Sequence, residues 1–178
     1  MSKLEDLMRP HMVKVATYHA VDPSEELARK AGIKPEDVIR LNANENPYGA
    51  IDEISAALTA LDLHLYPDSQ QRKFRAALSE YTGRPAENII GGAGADEIID
   101  LLIRLFVEQG QKVLDCGPTF GMYAFSANLA GAEVISVPRN DSWNIDIPAM
   151  MDAIDDSARI VFLASPNNPT GNLLAESD

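Results

Sequence analysis

Three segments of the 178-residue chain carry residue types that could act on a small anionic ligand. Gly91-Gly92-Ala93-Gly94-Ala95-Asp96-Glu97 follows an expected strand and opens an expected helix. Its backbone N–H groups would then sit at the positive end of a helix dipole, a place that binds phosphate. It is not a dinucleotide fingerprint, because Glu97 stands where the third glycine belongs, and no lysine follows to make a P-loop. The plainer alternative is a tight strand-to-helix turn whose Asp96 and Glu97 only complement the dipole. Pro118-Thr119-Phe120-Gly121-Met122-Tyr123 lies after the next expected strand, at the sheet edge where open α/β proteins collect ligands. An aromatic ring there could stack on a flat ligand, although Tyr123 reads as ordinary helix packing. Ser165-Pro166-Asn167-Asn168-Pro169-Thr170-Gly171-Asn172 is the most specific of the three. Two X-Pro bonds in so short a loop predict a cis peptide before Pro166, Pro169 or both, and a rigidly held asparagine amide facing a ligand.

These segments need strands and helices to position them, and the apolar periodicity supplies both. An arm of about twenty residues has one apolar stripe, Met8, Met12, Val15 and Tyr18. A short helix opens at Ser24 and stops at Gly32, and Val38-Ile39-Arg40-Leu41 reads as a strand running into the polar loop 42–49. Ile51, Ile54, Leu58 and Leu61 suit an amphipathic helix, and Ser69 is the expected cap of the next one, which stops near Gly83. A regular alternation follows: strand 88–90, helix 96–108, strand 112–116, helix 120–130, strand 133–137, helix 147–155 and strand 160–163. Strands alternating with helices of this length predict an α/β fold, a mostly parallel sheet with helices on both faces, preceded by the arm and the first helices.

Composition excludes several function classes. Fifteen basic against twenty-seven acidic side chains give a formal net charge of -12, which would repel a nucleic-acid backbone. No apolar run reaches membrane-spanning length, and the start Met1-Ser2-Lys3-Leu4-Glu5-Asp6 lacks a secretory pattern, so the expected location is cytoplasmic. The single cysteine, Cys116, rules out an internal disulfide, no metal site is expected, and the residue reads as a small buried group at a strand end.

Taken in order, Leu41-Asn42-Ala43-Asn44-Glu45-Asn46-Pro47, Tyr66-Pro67-Asp68, Gly94-Ala95-Asp96-Glu97, Pro118-Thr119-Phe120-Gly121-Met122-Tyr123 and Ser165-Pro166-Asn167-Asn168-Pro169-Thr170-Gly171 resemble histidinol-phosphate aminotransferases at matching spacing. The resemblance runs from about Tyr18 to Gly171 and corresponds to roughly the first half of such an enzyme. It implies the large domain of a fold type I enzyme that binds pyridoxal 5'-phosphate, a homodimer whose active sites are completed across the interface, and a small amino-acid or phosphorylated substrate. By the same resemblance, Ala95, Asp96 and Glu97 would take the cofactor phosphate and Phe120 would stack on the pyridine ring. The family often has tyrosine at that position, so its phenolic hydrogen bond would be absent. Asn168 would bond the ring hydroxyl oxygen, Tyr66 would reach the other subunit's phosphate, and Tyr18 and Asn44 would close over the substrate. Residues 1–45 would form the arm and lid segment, and 46–178 a partial cofactor-binding domain.

The implied reaction, for the full-length enzyme, is amino transfer between histidinol phosphate and 2-oxoglutarate in histidine biosynthesis. A threonine-phosphate decarboxylase and an aromatic or broad-specificity aminotransferase share the same loops, and a non-catalytic anion-binding module is the alternative of another class. The Schiff-base lysine, the aspartate facing the pyridinium nitrogen with its nearby tyrosine, and the substrate-gripping arginines would all lie beyond Asp178. None of Lys3, Lys14, Lys30, Lys34, Lys73 and Lys112 has the context of the family's lysine. The expectation is therefore a truncated and inactive chain with exposed sheet edges and poor solubility.

Overall fold

The computed structural model describes residues 4–18 and 20–177, without the side chain of Glu5. The expectations for Met1, Ser2 and Lys3 as part of the amino-terminal pattern, and for Asp178 as a stopping point, lie outside the described residues. The chain forms two compact units, one of Met1–Ala16 with Lys73–Asp178 and one of Thr17–Arg72.

The first unit is built on a parallel sheet of β1 (Lys112–Asp115), β2 (Glu133–Ser136) and β3 (Ala158–Phe162), in the order β2-β1-β3. Parallel neighbours need crossovers, and helices α5 (Met122–Ala130) and α6 (Ile147–Ala153) provide them. α4 (Ala95–Phe106) precedes β1. The central strand is buried along its length rather than alternately, as a sheet covered on both faces requires. Successive side chains point to opposite faces. Val113 therefore packs with Ile99, Ile103 and Val107 on the α4 side and Ala127 of α5, while Leu114 packs with Cys116, Val137 and Met150 on the α6 side. The expected α/β class with helices on both faces is what forms. Between Lys112 and Val113 the register against β3 shifts, so Ala158 and Ile160 oppose successive residues of β1.

Local chemistry sets the helix ends. The Asp146 carboxylate accepts the Ala149 N–H at 3.0 Å and caps α6. Helix α6 stops at Ala153, short of the expected Asp155, because the Asp155 carboxylate accepts instead from Lys112 Nζ at 2.5 Å and from Ser157. Those donors, the Lys112 ammonium first, hold the Asp155 carboxyl below its ordinary range. Residues of the arm belong to this unit. Met8 and Met12 line one open groove with Asp100, Arg104, Val107, Leu129 and Ala130, and the His11 ring meets the Leu129 carbonyl through Nε2 at 3.2 Å. The expected stripe is thus divided, since Tyr18 belongs to the other unit.

The second unit holds α1 (Ser24–Ala31), ended by left-handed Gly32 as expected, and α2 (Asp52–Thr59). Helix α3 (Arg72–Thr82) starts at its boundary and runs on in the first unit. Three sequence expectations are corrected. Ser69 does not cap α3: the Asp68 carboxylate accepts the Gln70 N–H at 3.1 Å and the Arg72 N–H at 3.0 Å. The Arg72 and then the Gln70 amide hold the Asp68 carboxyl below its usual value. Residues 38–41 and 88–90 are not strands. Val38 and Ile89 have extended dihedrals, but neither segment finds a ladder partner among the described residues, and Ala86–Asn88 forms a 3-10 turn. Among the described residues no helix is long and apolar enough to cross a membrane.

Candidate functional site

Helix α4 leads into β1 through residues 107–111. Ile99, one turn in from Ala95, shares a core cluster with Phe120 of the loop after β1. Gly94 precedes the helix with φ 84°, a left-handed conformation that a side chain disfavours, and no side chain caps the first turn. The Glu97 carboxylate folds back to accept the Ala93 N–H at 2.5 Å and so steadies the turn from inside. Ala95, Asp96 and Glu97 themselves are exposed. The result is an accessible helix start, the positive end of a helix dipole, with the Asp96 and Glu97 carboxylates beside it.

The loop after β1 is held closely against its neighbours. A Cβ on Gly117 would come within 2.6 Å of Ser136 Oγ, whose hydroxyl donates to the buried Asp115 carboxylate at 2.5 Å. Arg139 braces the same loop, giving its backbone N–H to the Gly117 carbonyl at 2.8 Å and Nε–H to the Cys116 carbonyl at 3.2 Å. Cys116 is buried, and desolvation pushes its thiol pKa up, so it is a packing group at neutral pH. Phe120 is half-buried and meets Tyr123 edge to face, with ring centroids 5.6 Å apart and planes at 85°. Tyr123 in turn stacks on Phe162 at 4.5 Å and 2°. Burial raises the pKa of the Tyr123 hydroxyl.

The loop after β3 contains cis bonds before both Pro166 and Pro169, as the sequence predicts, and the loop after β1 contains another before Pro118, which it does not. Its buried amide belongs to Asn167, only 3% exposed, a residue that the sequence reading passed over in favour of its neighbour. Asn167 Oδ1 accepts from Thr119 Oγ1 at 2.8 Å, while Nδ2 donates to the Pro118 carbonyl at 3.1 Å and to Thr170 Oγ1 at 2.8 Å. The Pro118 carbonyl can only accept, which fixes the amide orientation. Asn167 thereby ties the loop after β3 to the loop after β1. The signal was present as two adjacent asparagines between two prolines, where only one can face inward.

Phe120 and Asn168 lie on the loops that follow β1 and β3 at the carboxyl edge of the sheet, with Asn168 half-buried beside the Asn167 clamp. Ala95, Asp96 and Glu97 lie in the same unit, one turn before Ile99 of the core cluster against which Phe120 packs. Tyr18, Asn44 and Tyr66 lie in the second unit. Tyr66 is fully exposed, Tyr18 largely so, and Asn44 has a left-handed backbone with φ 53°. Among the described residues no group of three or more His, Cys, Asp or Glu could hold a metal ion. What the first unit offers is a helix start for an anion, an aromatic ring, and polar side chains on a rigid loop.

Comparison with known proteins agrees with that inventory. The family model for aminotransferase class I and II matches residues 36–178. The chain is 42% identical to the histidinol-phosphate aminotransferase of Roseiflexus castenholzii, over 99% of this chain and 49% of that protein. It is also 42% identical to the chloroplastic histidinol-phosphate aminotransferase 1 of Arabidopsis thaliana, over 98% of this chain and 42% of the relative. Among solved structures it is similar to histidinol-phosphate aminotransferase from Sinorhizobium meliloti in complex with pyridoxal-5'-phosphate, with a TM-score of 0.76 and 26% identity over 91% of this chain and 43% of that one. The chain thus spans about half the length of the curated relatives it matches. With the family model covering most of its length and a parallel sheet whose loops gather at one edge, the chain belongs to the aminotransferase class I and II family.

Proposed function

We propose that the full-length protein is a pyridoxal-phosphate-dependent aminotransferase that exchanges the amino group of histidinol phosphate with 2-oxoglutarate, and that this chain supplies much of its cofactor seat. The observation that carries the reading is the Asn167 clamp, which fastens the 165–172 loop to the loop of Phe120, a ring that packs against the same core cluster as α4. The names of the relatives support the substrate.

The donor set fits the group. A phosphate needs N–H donors, which the exposed start of α4 presents at the positive end of its dipole, with the Glu97 carboxylate turned onto the Ala93 N–H. A flat heterocycle needs an aromatic face, and Phe120 is the half-buried ring of that edge. When bound, pyridoxal phosphate supplies an electron sink for the carbon that loses its proton. The residues here bind and orient. The backbone N–H groups of Ala95, Asp96 and Glu97 would hold the phosphate at the helix start, Phe120 would stack on the ring, and Asn168 would bond its hydroxyl oxygen. Asn167 keeps Asn168 in place by fastening its loop to Thr119 and Pro118. The same reading makes the enzyme a cytoplasmic homodimer in which Tyr66 serves the partner's phosphate and Tyr18 and Asn44 close over substrate. It also makes 1–45 the arm and lid segment and 46–178 part of the cofactor domain.

The test is amino transfer by the full-length protein. Histidinol phosphate with 2-oxoglutarate should yield glutamate and an absorbance change of the bound cofactor. Release of carbon dioxide from threonine phosphate, or preference for aromatic amino acids, would replace the substrate assignment. Failure to bind pyridoxal phosphate would remove the proposal altogether.

A further inference from the structure

Phe120 stands just ahead of α5, outside any regular element, where a side chain on an open loop would sample several rotamers. A ring that must lie parallel to a ligand needs a fixed plane, and a held backbone still leaves the side-chain torsions to be set by neighbours. The neighbouring rings do. Phe162 is the last residue of β3 and is locked in register opposite Asp115 of the central strand. Tyr123, in the first turn of α5, lies flat on Phe162 with planes 2° apart, so its own plane is set by the sheet. Phe120 then meets Tyr123 edge to face at 85°, a preferred aromatic geometry that loses its attraction as the ring rotates away. Sheet, Phe162, Tyr123 and Phe120 form one line of contacts ending at the edge where the ligand is expected. All three rings pack against the cluster of Ile99, Ile103, Val107, Val113 and Ala127, so the line is braced from α4 and α5 as well.

We propose that Tyr123 is a positioning residue that sets the plane of the Phe120 ring by carrying the orientation of Phe162 out to the sheet edge. The inference rests on the reading of Phe120 as the ring that stacks on the cofactor. It goes beyond it in assigning a function to a tyrosine that touches no ligand. The ring does the work: the side chain of Tyr123 meets both Phe120 and Phe162 through its ring, and its backbone N–H bonds the Phe120 carbonyl at 3.3 Å.

A double-mutant cycle in the full-length protein tests this, with pyridoxal phosphate as the titrant and two readouts, the dissociation constant and the induced circular dichroism of the bound cofactor. Phe120→Leu should weaken binding and change the dichroic band. Tyr123→Leu should weaken binding by about three- to tenfold, the size of one lost aromatic contact. It should also alter the band in the same sense, while Tyr123→Phe stays within about twofold of wild type because it keeps the ring. The Phe120→Leu/Tyr123→Leu double variant should bind like Phe120→Leu alone, since Tyr123 acts only through Phe120. Met150→Leu, on the opposite face of the sheet, controls for general loosening and should leave the band unchanged. Should Tyr123→Leu fail to accumulate, Tyr123→Met, which fills the space without a planar ring, is read against the same criteria. Additive effects in the cycle, or an unchanged band in the Tyr123 variants that lack a ring, overturn the inference. Unchanged binding in Phe120→Leu overturns instead the stacking role on which it rests.

Discussion

Replacing Asn167 by alanine should cost far more stability than an ordinary loop substitution. The side chain makes three hydrogen bonds, at 2.8 Å to Thr119 Oγ1, 3.1 Å to the Pro118 carbonyl and 2.8 Å to Thr170 Oγ1, and is 3% exposed. A typical intramolecular hydrogen bond contributes about 1 kcal/mol net, and a buried acceptor left without a donor costs about 1–3 kcal/mol. The two threonines are half-buried and Pro118 is exposed, so all three partners can turn toward water and the loss is chiefly that of the three hydrogen bonds themselves. The expected loss is about 2–4 kcal/mol. Urea unfolding of the full-length protein measures it: with a slope of about 2 kcal/mol/M the midpoint should fall by about 1–2 M. Asn167→Asp keeps the size and the acceptor for Thr119 but turns a carboxylate oxygen toward the Pro118 carbonyl, and should cost at least as much. A loss under about 1 kcal/mol for Asn167→Ala, or a tolerated Asn167→Asp, would refute the clamp.

Asp146→Ala removes the cap of α6 and should lower stability by about 1 kcal/mol in the same unfolding experiment. Gly117→Ala should push Ser136 Oγ off the buried Asp115 carboxylate and cost about 1–3 kcal/mol, visible as a lower melting temperature. The Asp155 carboxyl is held below its ordinary value chiefly by Lys112, so its contribution is present above the unfolded carboxyl pKa and fades as pH falls through the folded value. Asp155→Asn should therefore lie below wild type at neutral pH and converge with it in acid, and parallel pH profiles would contradict the assignment.

Much of the α/β core was legible because its signals are local. Ile99, Ile103 and Val107 recur at helical spacing, and Ile160-Val161-Phe162 is too apolar and β-branched for anything but a strand. The expected strands at 38–41 and 88–90 failed for a different reason. Extended dihedrals are a property of the residues, whereas a ladder is a property of two segments, and nothing in Val38-Ile39-Arg40-Leu41 names a partner. Ser69 lost the cap of α3 to Asp68 because one carboxylate can take both the Gln70 and the Arg72 amide. At the site, residue types identified the segments, but which asparagine turned inward was decided by Thr119 and Pro118, far away in sequence. Tyr123 read correctly as packing; what the packing aims at was invisible without Phe162.

The strand order β2-β1-β3 also bears on how the molecule assembles. β1 and β2 are joined by a single helix, whereas β3 must travel past β2 to reach the far side of β1. Closing the longer loop costs more chain entropy before any contact rewards it. Docking of β3 is therefore expected late, with φ-values near zero for Ile160 and Phe162 and higher ones for Val113 and Val134. Until that strand arrives, the loop after β1 lacks the Asn167 amide that fastens it, so the rigidity of that loop comes with β3 rather than before it.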